Sequence, residues 1–119
     1  MKKTLVLGAS PNPLRYSHKA VKRLLEHDIE VVAIGKRKTD ILGVQVMTGT
    51  PPASGIHTVT LYVGPDNQKE YLDYIISLKP ARIIFNPGTY NKKLEEMAEK
   101  AGIETIEDCT LIMLDSDDY

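Results

Sequence analysis

Short apolar runs alternate along this chain with stretches whose apolar positions recur at helical spacing, and few folds satisfy that alternation. Thr4 to Gly8 reads as a strand, and Ser17 caps a helix to about Asp28 with Ala20, Val21, Leu24 and Leu25 on one face. Glu30 to Ile34, Thr58 to Val63, Arg82 to Phe85 and Glu104 to Ile106 read as further strands. Asn67 opens a second helix, with Glu70 placed as in a capping box. It ends before Pro80 and turns Leu72, Ile75, Ile76 and Leu78 inward with Tyr71 and Tyr74. Asn91 caps a third, with Leu94, Met97, Ala98 and Ala101 inward and Gly102 as its left-handed stop. Strands that alternate with helices pair in parallel, and the helices cover both faces of the resulting sheet. The expectation is a three-layer, Rossmann-like α/β fold with a mostly parallel sheet of five or six strands.

Two stretches are less regular. Ile41 to Val46 reads as a turn and a short extended piece before the loop Thr48 to Gly55, which carries Pro51 and Pro52. Thr110 to Leu114 is apolar without a decisive period, and Asp115, Asp117 and Asp118 suggest a mobile acidic tail over 115–119. A length of 119 residues fits one domain spanning the whole chain. Fifteen basic and sixteen acidic side chains leave a net charge of -1, which argues against general nucleic-acid affinity. No apolar run approaches the roughly 18 residues of a membrane span. Met1-Lys2-Lys3 leads into a strand too short for a signal-peptide core, so a cytoplasmic location is expected. Cys109 is the single cysteine, and His18, His27 and His57 show no metal-ligand spacing.

Ligands of such sheets bind outside the carboxyl ends of the strands, and the distinctive residues fall there. The first strand ends in Gly8-Ala9-Ser10-Pro11-Asn12-Pro13 and leads into a helix. That arrangement offers an anion free backbone N–H groups and the positive end of the helix dipole. It is not the dinucleotide fingerprint, because Ser10 and Pro13 stand where the second and third glycines belong. The second strand ends at Gly35 and Lys36-Arg37-Lys38, the third at Gly64-Pro65, the fourth at Asn86-Pro87-Gly88. Loops use glycine and proline for conformational reasons too. An NAD site usually has an acid at the second strand end to accept from the ribose 2′ hydroxyl. Three cations there suit a ribose with an additional phosphate, as in coenzyme A or NADP, although a solvated basic loop has the same composition.

Taken in order, Gly8 to Ser17, Lys36 and Lys38, Tyr62-Val63-Gly64-Pro65, Asn86-Pro87-Gly88-Thr89 and Cys109-Thr110-Leu111 resemble the small bacterial coenzyme-A-binding domain proteins. The fold of that family looks like the N-terminal CoA-binding domain of the succinyl-CoA synthetase alpha subunit, and the resemblance covers nearly the whole chain. It implies that the first loop, with Ser10, Arg15, Tyr16 and Ser17, holds CoA phosphates. It further implies that Lys36 or Lys38 meets the phosphorylated ribose and that Val63 and Pro65 border the adenine or pantetheine. Two positions depart from the pattern: Gly64 separates Val63 from Pro65, and Gly35 replaces a proline usual near the lysine. The candidate ligand-binding residues are Gly8, Ala9, Ser10, Asn12, Arg15, Tyr16, Ser17, Lys36, Lys38, Val63, Pro65, Asn86, Pro87 and Gly88.

No catalytic constellation stands out. The synthetase-like reaction uses a phosphorylated histidine from a further domain and a partner subunit, neither recognisable in this sequence. His18 could meet a phosphate at a helix start or simply face solvent, and Cys109 is a potential nucleophile without an identifiable base. Lys92 and Lys93 oppose a helix dipole, which either Glu95 and Glu96 or a nearby anion would offset. Tyr16, Tyr62 and Tyr90 could stack an adenine or serve as packing. The favoured reading is non-catalytic binding of coenzyme A or an acyl-CoA, a small nucleotide partner, with no nucleic acid or membrane. Alternatives are an NADP-binding, oxidoreductase-like domain and an interaction protein that has lost its ligand. Leu111 to Leu114 could cover a sheet edge or a partner, including a second copy.

Overall fold

In the computed structural model, which describes residues 2–119, the chain runs β1 (Thr4–Leu7), α1 (Tyr16–Glu26), β2 (Val31–Ile34), β3 (Thr39–Ile41), β4 (Val44–Met47) and β5 (Thr58–Leu61). It continues through α2 (Leu72–Ser77), β6 (Arg82–Phe85), α3 (Lys92–Lys100), β7 (Glu104–Glu107) and α4 (Thr110–Asp115). Met1, part of the basic start, lies outside the described residues. One seven-stranded sheet has the order β3-β4-β2-β1-β5-β6-β7. Every pairing is parallel except that of β3 with β4.

Period-two alternation sorts the strand residues between two cores. Leu5, Leu7, Val59, Leu61, Ile83 and Phe85 pack with Leu72 and Ile75 of α2 and Leu94 and Ala98 of α3. Val6, Ala33 and Val46 pack with Val21 and Leu24 of α1 and Leu114 of α4. The three-layer expectation holds. The strand count exceeds it because Leu42 (φ 51°) and Gly43 (φ 90°) fold the expected extended piece back on itself. The Gly43 N–H donates to Asp40 Oδ2 at 3.1 Å, so β3 becomes an antiparallel edge on β4.

Some local expectations need correction, among them Ala101, which is exposed rather than inward. Ser17 is not the cap of α1: Arg15 occupies the N-cap without a side-chain bond, and Ser17 is buried in the first turn. Asn12 starts the turn earlier, its Oδ1 accepting from the Leu14 N–H and its carbonyl from the Arg15 N–H, each at 3.0 Å. The helix read from Asn67 is instead two 3₁₀ turns, Pro65–Asn67 and Lys69–Tyr71, ahead of the six residues of α2, and no side chain caps either. Gln68 breaks the pattern by turning its amide into the interior. Residues 111–114, without a decisive period in the sequence, form most of the helix α4, whose Met113 and Leu114 are buried. At the acidic end Arg23 pairs with Asp115, the Tyr119 hydroxyl bonds Thr4 Oγ1, and the Arg82 guanidinium lies 4.4 Å from the Tyr119 ring centroid. No helix among the described residues is long and apolar enough to cross a membrane.

Candidate functional site

After β1 the chain departs through α1 on one face of the sheet, and after the neighbouring β5 it departs through α2 on the other. The two loops diverge and leave a crevice between strand ends, the position where open α/β sheets hold ligands. Two glycines set how closely the walls approach. A Cβ at Gly8 (φ 96°) would stand 2.8 Å from Val63 Cγ2 and 2.9 Å from the Tyr62 carbonyl. One at Gly35 would stand 2.3 Å from the Ala9 oxygen. The N–H groups of Gly8 and Ala9 both donate to the Ile34 carbonyl, at 2.8 and 2.9 Å, and that of Gly35 to Met47 at 2.8 Å. The loop after β1 is thus pinned between the ends of β2 and β5 by backbone contact.

Pinning uses up the Gly8 and Ala9 donors, Pro11 and Pro13 have none, and the Asn12 N–H donates to Ser10 Oγ at 3.2 Å. What remains for an anion is the Ser10 N–H and the first turn of α1, where the N–H groups of Tyr16, Ser17 and His18 have no carbonyl behind them. No side chain caps that turn and no acid lies in it, so the dipole's positive end is uncompensated. Arg15 and Tyr16 are exposed beside it, with Lys19 Nζ 5.2 Å from the Tyr16 ring centroid. Ser10 is half-buried, and its carbonyl lies 3.3 Å from His18 Nδ1, which ties the loop to the helix. Lys36, Arg37 and Lys38 extend from the adjacent β2 end, exposed and without an acidic partner among the described residues.

The other wall is held by two buried amides. Asn86, 3% exposed, donates to Thr60 Oγ1 at 2.7 Å and the Leu61 carbonyl at 2.8 Å, while its Oδ1 accepts from the Thr110 N–H at 2.9 Å. Its side chain is therefore committed internally, joining the ends of β5 and β6 to the start of α4. Gln68 donates to the carbonyls of Val63 at 2.8 Å and Thr89 at 2.7 Å and accepts from Asn91 Nδ2 at 3.1 Å, clamping the β5 and β6 loops together. Reading the sequence missed Gln68, whose partners lie too far along the chain to leave a local pattern. Pro65, Pro87 and Gly88 are exposed, and the last two line a groove of about 260 Å³ with Phe85, Tyr90, Glu107, Asp108 and Cys109.

The aromatic candidates separate by environment. Burial pushes the Tyr62 phenol up to about 12, and its ring packs in the α1-side core. The Tyr90 ring meets Phe85 edge-on at 5.5 Å and its hydroxyl donates to Glu95 at 2.8 Å. That hydrogen bond raises its pKa, with burial and then the charges of Glu95, Glu107 and Glu96 adding to it. Only Tyr16 offers an open face beside α1's first turn.

Residues 2–115 match the family described as CoA binding domain. A solved structure of an uncharacterized protein is 46% identical, with a TM-score of 0.96 over 100% of this chain and 98% of that one. A hypothetical protein from Pyrococcus horikoshii OT3 is 27% identical, with a TM-score of 0.87 over 97% of this chain and 82% of its own. A Thermus thermophilus structure, 18% identical with a TM-score of 0.85, shares the fold over 99% of this chain and 91% of its own. No curated protein matches the chain.

Proposed function

This chain belongs to the CoA binding domain family, and we propose that it binds coenzyme A or an acyl-CoA and leaves it chemically unchanged. The observation that carries this reading is the uncapped, acid-free N-terminus of α1, held against β2 and β5 beside three unpaired cations. In this reading the pyrophosphate meets the N–H groups of Tyr16, Ser17 and His18, with Ser10 and Arg15 alongside. Anionic oxygens there gain charge-assisted hydrogen bonds and the helix dipole together. Lys36 or Lys38 takes the phosphate on the ribose. Val63 and Pro65 border the arm, Gly8, Ala9 and Asn12 shape the loop, and Asn86 holds the wall that Pro87 and Gly88 face.

The glycine in place of proline at 35 supports retention of the site rather than its decay, since its N–H is bonded and its missing Cβ makes room for Ala9. A thermal-shift series with CoA, dephospho-CoA, NADP and NAD tests the reading, because a ligand of the native state raises apparent stability with its affinity. CoA is expected to give the largest shift and dephospho-CoA a smaller one. A larger shift with NADP would favour an oxidoreductase-like domain, and no shift at millimolar ligand would favour an interaction protein.

A further inference from the structure

The rim of the sheet is electrically lopsided. Nine of the fifteen cations but only three of the sixteen acids precede residue 40. At the rim this places Arg15, Lys36, Arg37 and Lys38 on the β1–β2 side. At the far end, where β6 and β7 stop, the groove walls carry Glu107 and Asp108 and no cation. Lys92 and Lys93 belong to the first turn of α3 and line no part of it. The remaining walls are largely uncharged, with Phe85, Pro87 and Tyr90 giving ring surface and Cys109 half-buried at the start of α4.

Three strand spacings separate β1, whose following loop and helix hold the pyrophosphate in this reading, from β7, roughly 14 Å at about 4.8 Å each, which an extended pantetheine arm spans. All the ligand's phosphates belong with the cations, so the uncharged arm is the part that runs toward the acidic end. We infer that the thiol end of the ligand, with any acyl group on it, lies in the β6–β7 groove, and that Glu107 and Asp108 there select uncharged acyl groups over those ending in a carboxylate. This inference rests on the CoA reading above. A terminal carboxylate in the groove meets two like charges and no cation to offset them, whereas a short alkyl chain meets ring surface. Selection therefore comes from repulsion of the wrong acyl group more than from attraction of the right one.

Calorimetric titration of the full chain with CoA, butyryl-CoA and succinyl-CoA tests it. At low ionic strength succinyl-CoA is expected to bind about fivefold more weakly than butyryl-CoA, the scale of two solvent-accessible charge contacts. Added salt should narrow that ratio, and the Glu107→Gln, Asp108→Asn double variant should bring it close to one. The Cys109 N–H, which donates to Asp108 Oδ1 at 2.7 Å, keeps an acceptor in that variant because the substituted amide retains a side-chain oxygen. Equal binding of the two thioesters by the unmodified chain overturns the inference, as does a ratio indifferent to salt. A ratio that persists in the folded double variant also overturns it. Tight CoA binding with no acyl discrimination sinks the groove assignment alone, while absence of CoA binding removes the reading beneath it as well.

Discussion

Replacing Gly35 with alanine places one methyl carbon where the β1 loop already stands. On the present backbone that carbon lies 2.3 Å from the Ala9 carbonyl oxygen and 3.0 Å from Val46 Cγ1. The first distance is roughly 1.2 Å short of ordinary contact. The obstructing oxygen is backbone, and Ala9 is held by its N–H bond to Ile34 at 2.9 Å, so relief requires the loop or the end of β2 to move. Gly35 is not in the left-handed region, which makes the effect steric rather than conformational. Overpacking of this kind costs about 1–3 kcal/mol. The first turn of α1 moves with the loop, so CoA affinity should fall too. Gly64→Ala is the matched control: its φ is -64° and nothing lies within 4 Å of the added carbon. It should be neutral or stabilise by up to about 1 kcal/mol through the unfolded state. Urea unfolding and CoA titration of both variants decide the matter. A Gly35→Ala protein with the parental urea midpoint and parental CoA affinity would refute the close-approach argument.

Alanine at both Lys36 and Lys38 should weaken CoA about tenfold and leave dephospho-CoA nearly unaffected; equal losses in titrations of the two ligands would remove the lysines from the ribose phosphate. Asn86→Ala strips partners from the Leu61 carbonyl and the Thr110 N–H and should cost about 2–4 kcal/mol in urea unfolding. A loss under about 1 kcal/mol would mean that water replaces the amide. Burial, followed by the charges of Arg82 and Lys2, lowers the pKa of His57 below its ordinary 6.5, so the unfolded chain protonates first. Its contribution is complete above 6.5 and declines as pH falls through the lowered folded value; His57→Gln should flatten the loss of stability as pH falls below 6.5. Identical pH profiles for the two proteins would exclude that contribution. Cys109 lines the β6–β7 groove, and saturating CoA should slow its alkylation by a small thiol reagent; equal rates with and without CoA would place the ligand elsewhere.

Local pattern was enough for much of the fold. The apolar stripe of α1 and the runs of β1, β2, β5 and β6 encode their burial in residue spacing alone. Asn91 caps α3 as its residue type predicts, accepting from the N–H groups of Lys93 and Leu94, and Gly102 stops the chain at φ 74°. The gathering of Gly8, Lys36, Gly64 and Asn86 on one rim was also legible, because parallel strands put their carboxyl ends on the same edge.

Other features required the assembled structure. The inward Asn86 amide, the Gln68 clamp, the room that Gly35 leaves for Ala9 and the seat of Tyr119 against Arg82 join residues from separate elements. Gln68 looked like part of a helix start because its neighbours have helix-start chemistry; its carbonyl partners come together only after the sheet has formed. The charges of 115–118 suit water, and Tyr119 meets Thr4 and Arg82 only once β1 and β6 lie in one sheet. Sequence by itself determined the five parallel strands β1, β2, β5, β6 and β7, the helices α1 and α3, and the edge where the strand ends collect, since periodicity and caps act within a few residues. Which side chains face the crevice and which brace its walls was decided by tertiary structure, because hydrogen bonds and close packing depend on partners that folding brings together.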